Sequence, residues 1–111
     1  MYEGLRKEVS MSNSRMNIVD KLAGLVERLY QESENYAQNP SDAQLWYNRG
    51  YANGIAAFLN AQNCADKIKH LNLDAQGLYK SEQVMEWHKA YHHGFEMGFR
   101  ESGEAWSQVI N

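Results

Sequence analysis

The chain has a single proline, a single cysteine and no run of basic residues, and each scarcity removes a class of explanation. With Pro40 alone, few backbone N–H donors are lost, so helices can run long. Val and Ile are few beside the helix formers, which adds to an all-α expectation. Cys64 cannot close an intramolecular disulfide and has no zinc-type partner, which fits a reducing, cytoplasmic compartment. No apolar run approaches the roughly 20 residues that span a bilayer, and the opening MYEGLRKEVS lacks the apolar core of a signal peptide. A formal net charge of −3 without clustered Lys and Arg argues against binding to nucleic acid or an anionic membrane. Phosphate-binding glycine loops are missing, and no nucleophile signature surrounds Cys64 or any serine, so neither an enzyme nor a cofactor is expected.

What remains is helical and aromatic. At 111 residues, 43% of them hydrophobic, the chain suits one domain with a modest core. Residues 1–13, ending in the turn-like MSNS, read as a flexible or short peripheral helix, and 14–111 read as a single helical domain. Apolar periodicity predicts three long helices at about 15–37, 41–62 and 81–108, with a short helix or loop over 63–80. Ile18, Leu22, Leu25 and Leu29 mark the buried face of the first, flanked by Val19, Val26 and Tyr30. Asn39–Pro40 ends that helix, and Ser41 with Gln44 forms a capping box for the second. The second helix leaves only a narrow polar strip of Arg49, Asn53 and Asn60, so it must be surrounded. In the third, Trp87, Tyr91, Gly94, Phe95, Gly98, Phe99 and Trp106 share one arc, opposite Glu86, Lys89, His93, Glu96, Arg100 and Glu104.

A shift of 40 positions lays Ser41–Asn60 on Ser81–Arg100, matching Ser41 with Ser81, Tyr51 with Tyr91 and Gly54 with Gly94. The two helices read either as an internal repeat, meeting at those tyrosines and glycines, or as two helices that look alike because they pack on one another under the same constraints. NPSDAQLWYNRG resembles the opening of a tetratricopeptide repeat, in which a Trp and a Gly stand four apart as Trp46 and Gly50 do. Gln62 and Asp66 occupy the places where such a repeat needs alanine and an aromatic, and the period is not the expected one of about 34. Arg49–Ala56, RGYANGIA, is similar to a segment of ribosome modulation factors, which are strongly basic because they bind ribosomal RNA. This chain is acidic, and no function is carried over from either family. Glu27, Glu32 and Glu34 invite comparison with all-helical nucleotide pyrophosphohydrolases, but the second acidic set those enzymes need for magnesium is missing.

Three Trp, seven Tyr and three Phe exceed what a small helical core readily takes inside. Some are expected at an interface, where Trp and Tyr concentrate binding energy. Trp46, Arg49, Tyr51, Asn53, Trp87, Tyr91 and Trp106 are the candidate interaction or ligand surface. The leading expectation is a non-enzymatic protein–protein interaction module, forming a homo-oligomer. It resembles in type the accessory and inhibitor proteins that phages and other mobile elements direct at host proteins. The alternative is a small-ligand or divalent-metal-binding protein that uses the cleft between the repeated helices. His88, His92 and Glu96, spaced four apart on one helix, would offer two imidazoles and a carboxylate to the metal.

Overall fold

Few residues in this chain interrupt a helix, and the fold follows from where those few stand. The computed structural model describes residues 2–75 and 85–110, with side chains placed for 16–75 and 85–108. It is all-α: α1 spans Tyr2–Glu32, α2 Ala43–Ala61 and α3 Glu86–Ile110, with 3-10 turns at Tyr36–Gln38 and Ala65–Lys67 and no strand among the described residues. α1 begins far ahead of the expected start near residue 15, because Ser and Asn each cost a helix only about 0.5 kcal/mol and do not break it. Of the short helix or loop expected over 63–80, the described part holds a single 3-10 turn at Ala65–Lys67. The expected start of the third helix at Ser81 lies outside the described residues.

Both ends of α2 are capped by side-chain and backbone chemistry local to it. Asp42, and not Ser41, is the N-cap: its carboxylate accepts from the Leu45 N–H at 3.3 Å. Gln44 is turned outward, where its amide donates to Asn48 at 2.8 Å instead of closing the capping box. At the other end Asn63 takes a left-handed conformation, φ 60°, and the Cys64 and Asn63 N–H groups bond back to the Leu59 and Asn60 carbonyls. That is a Schellman termination, which Asn tolerates better than residues other than glycine.

α2 and α3 run parallel. Residues ascend together along the pair: Trp46 stacks on Trp87 at 4.3 Å, Gly50 faces Tyr91, Gly54 faces Phe95, and Phe58 meets Trp106 at 5.9 Å. A parallel pair needs a long return path, and the chain from Gln62 to Met85 supplies it. The backbones meet through glycine. A Cβ on Gly50 or Gly94 would crowd the carbonyl oxygen of Tyr91 or Tyr47 respectively, and one on Gly54 or Gly98 would crowd that of Phe95 or Tyr51. These four contacts are reciprocal when residues are offset by 44, not 40. Tyr47, Gly50, Tyr51 and Gly54 are the counterparts of Tyr91, Gly94, Phe95 and Gly98, related by a pseudo-twofold axis along the pair. The repeat is present, but one helical turn away from the register suggested by Ser41 and Ser81.

α1 packs antiparallel on the far side of α2. Val19 and Val26 are buried with Ala52, Ile55, Leu59 and Ile68, and α1 also touches α3. Each large side chain fully withdrawn from water contributes about 2 kcal/mol. The buried line on α1 is Val19 and Val26, seven apart, continued by Ser33 just beyond its end, so the helix is turned by about one residue from the expected Ile18 and Leu25 face. α2 is thus packed against both α1 and α3, as its largely apolar circumference requires.

Candidate functional site

A lone arginine on an apolar helix must find partners or be excluded from the interior. Arg49, at the end of the second turn of α2, is only 5% exposed and reaches the C-terminal end of α1. Its Nε donates to the Ser33 hydroxyl at 3.0 Å, and Nη2 donates to the carbonyls of Ser33 and Tyr30 at 2.9 and 3.3 Å. Tyr30 lies in the last turn of α1, whose carbonyls the helix itself leaves without partners, and the helix dipole favours a cation there. The Ser33 carbonyl, just beyond, also accepts the Tyr36 N–H at 3.1 Å. α1 stops at Glu32 and not near residue 37, and Arg49 supplies donors to that end. The guanidinium also lies over the rings of Tyr30 and Tyr36, 3.7 and 4.6 Å from their centroids.

The counter-charge comes from the connecting segment. Asp74 Oδ2 stands 3.6 Å from Arg49 Nη1 and accepts from the Asn53 amide at 3.0 Å and the Tyr36 hydroxyl at 3.2 Å. Asn53 also donates to the Tyr91 hydroxyl at 2.7 Å and accepts from Tyr30, whose oxygen accepts the Asp74 N–H at 3.0 Å. Burial pushes the Tyr30 phenol above its usual range, which keeps it the neutral donor Asn53 requires. One network thus ties α1, α2, α3 and the connection together. Asp74, Ser33 and Tyr30 were missed in the sequence, where Asp74 reads as an ordinary turn residue. The available signal was Arg49 itself, since a cation on a helix bound for the interior demands a carboxylate from elsewhere.

The anticipated interaction residues divide into two groups. Trp46, Arg49 and Tyr91 are buried, Trp87 packs on Trp46, and Asn53 is held in the network, so these five build the interior. Trp46 also donates its indole N–H to the Asn39 carbonyl at 3.1 Å and meets Tyr36 edge-on, which locks the turn into α2. Trp106 closes the other end of the pair against Phe58. Tyr51 is half-buried, with its ring against the core and its hydroxyl at the surface. It joins Tyr47, which the sequence reading did not single out, and His93: ring centroids are 6.1 Å apart for the tyrosines and 5.6 Å for Tyr47 and His93. The Tyr51 hydroxyl donates to Glu101 of α3, and its phenol is pushed up, first by burial and then by that carboxylate.

The expected metal site does not assemble. His88 is 2% exposed, packed edge-on against Trp87 and His92, whereas Glu96 points to solvent. Among the described residues no three His, Cys, Asp or Glu side chains are gathered to hold an ion. Where their glycines meet, the repeated helices leave no room between them, backbone lying against backbone. Beside that contact a cavity of about 530 Å³ opens between α2, α3 and the 65–75 segment, with Asn53, Asp74 and Tyr91 in its wall. No described helix is long and apolar enough to cross a membrane. Comparison with family models, with curated proteins and with solved structures returned no match to the chain.

Proposed function

We propose that this chain is a non-enzymatic protein-binding module that docks through the Tyr47, Tyr51 and His93 face of the α2–α3 pair. The observation that carries this reading is the unequal use of a pseudo-symmetric pair. Tyr91 is buried beneath Asn53 and the Asp74 segment, while its counterpart Tyr47 stays only half-buried against Tyr51 and His93. The chain covers one face of its own helix pair and leaves the related face to another molecule. Tyrosine supplies large contact area at low entropic cost, and Glu101 already holds Tyr51 in place, so little order remains to be lost on docking. The buried charges point the same way: Arg49 and Asp74 are spent on holding elements together.

A photo-crosslinking residue in place of His93, expressed in the protein's own cells, tests the reading. A discrete protein adduct that disappears with Tyr47→Ala or Tyr51→Ala, at unchanged melting temperature, is the expected result. No adduct, or one indifferent to both substitutions, overturns it. Sedimentation of the purified chain then separates a second copy from a different partner, since a self-complementary face gives a dimer that the same substitutions dissociate.

A further inference from the structure

The structure assigns a small-molecule site to the cavity between α2, α3 and the 65–75 segment, for a neutral, mostly apolar ligand carrying one hydrogen-bond donor. The site lies on the opposite side of the helix pair from Tyr47 and Tyr51 and is independent of protein docking there. Its volume, about 530 Å³, falls within the roughly 300–1,000 Å³ of small-molecule pockets. Small side chains leave the room: Ala56 and Ala57 of α2 and Ala65 of the connecting segment line the cavity, and Ile68, Leu73 and Phe95 add to its apolar lining. Larger side chains at those alanines would have filled it.

The polar groups set the ligand's chemistry. Asp74 lines the cavity, yet Arg49, Asn53 and Tyr36 all converge on its Oδ2. No hydrogen bond from the described residues reaches Oδ1, which is therefore the acceptor left for a hydroxyl or N–H of the ligand. The Asp74 charge is already balanced by Arg49, so a cationic head would be buried without a counter-ion, and an anionic one would meet the carboxylate. Lys69 is largely exposed and paired with Asp66, and it does not alter that balance. A compact aromatic alcohol or an indole has the required shape and single donor.

Isothermal titration of the full chain with indole, and with toluene as a donor-free control, tests the site. Saturable one-site binding of indole is expected, with toluene about tenfold weaker for want of the bond to Asp74. Ala57→Leu fills the cavity from α2 and should abolish indole binding while circular dichroism shows the helices intact. Ala65→Leu fills it from the connecting segment and decides the matter if the first variant fails to fold. Failure of indole to saturate at millimolar concentration overturns the assignment. So does binding that both leucine variants leave unchanged, or equal affinity for indole and toluene.

Discussion

Gly50 of α2 lies directly against the main chain of Tyr91 in α3, so that a Cβ there would fall within 3.0 Å of three Tyr91 backbone atoms. Gly94 meets the Tyr47 carbonyl in the same way. At such an approach glycine Cα–H groups point at carbonyl oxygens of the other helix and gain weak bonds of about 0.5–1 kcal/mol each. Those contacts and the close packing around them offset the helix propensity that four glycines forfeit.

Gly50→Ala and Gly94→Ala should therefore each lower stability by about 3 kcal/mol, because backbone cannot yield as a flexible side chain can. The matched control is Gly24→Ala. Nothing lies within 4 Å of a Cβ at Gly24, so the same chemical change on α1 should raise stability by about 1 kcal/mol. Thermal melts of the three variants check the sign: a stable Gly50→Ala protein would mean the helices do not meet there.

Arg49→Ala should destabilise the chain by about 3–5 kcal/mol, since it strips the end of α1 of its donors and strands the Asp74 carboxylate. Arg49→Lys should recover only a minority of the loss, because one ammonium cannot serve Ser33, Tyr30 and Asp74 at once. A double-mutant cycle with Asp74→Asn should return a coupling of about 1–3 kcal/mol by urea denaturation. A coupling near zero would show that the pair does not act as a unit.

Ser102 carries a fully buried hydroxyl with no hydrogen-bond partner among the described residues. Desolvating that group costs about 1 kcal/mol or more with nothing returned, and alanine is the better helix former. Ser102→Ala should raise the melting temperature by roughly 4–8 °C. A lower value would mean that the hydroxyl has a bonded water to lose.

Stability should fall as the solution turns alkaline. The phenols of Tyr51 and Tyr30 both sit above the ordinary 10.0 in the folded chain. Above that pH the unfolded chain releases protons that the folded one retains, so the slope of stability against pH is negative. Urea melts at about pH 9 and pH 11 should show the loss, and Tyr51→Phe should flatten it. An unchanged slope in Tyr51→Phe would mean that burial and Glu101 do not raise the Tyr51 phenol in the folded chain.

The α3 pattern was legible because exposure on a helix repeats every 3.6 residues. Glu86, Lys89, His93, Glu96, Arg100 and Glu104, read as the wet face, are all exposed. The repeat was legible too, but its register was not. Serine caps and a shared tyrosine favoured an offset of 40, while the contacts between backbones set 44. Moving one helix by a full turn leaves much of its pattern in phase, so periodicity alone separates the two offsets poorly. Aromatic rings leave a similar choice open. Trp46 and Tyr91 have the composition of an interface and the placement of a core, and only their neighbours distinguish the two.

Taken by itself, the sequence determined the fold class, the burial of most of α2 and the lack of any apolar run long enough to span a membrane in the described helices, since each depends on local periodicity and apolar run length. Tertiary structure alone decided that α2 and α3 run parallel, that Asp74 meets Arg49, that the histidines are packed instead of poised for metal, and that a cavity opens beside the 65–75 segment. Those outcomes depend on residues far apart in the chain. Long-range pairing is chosen by how three amphipathic helices fit at once, which no single helix encodes.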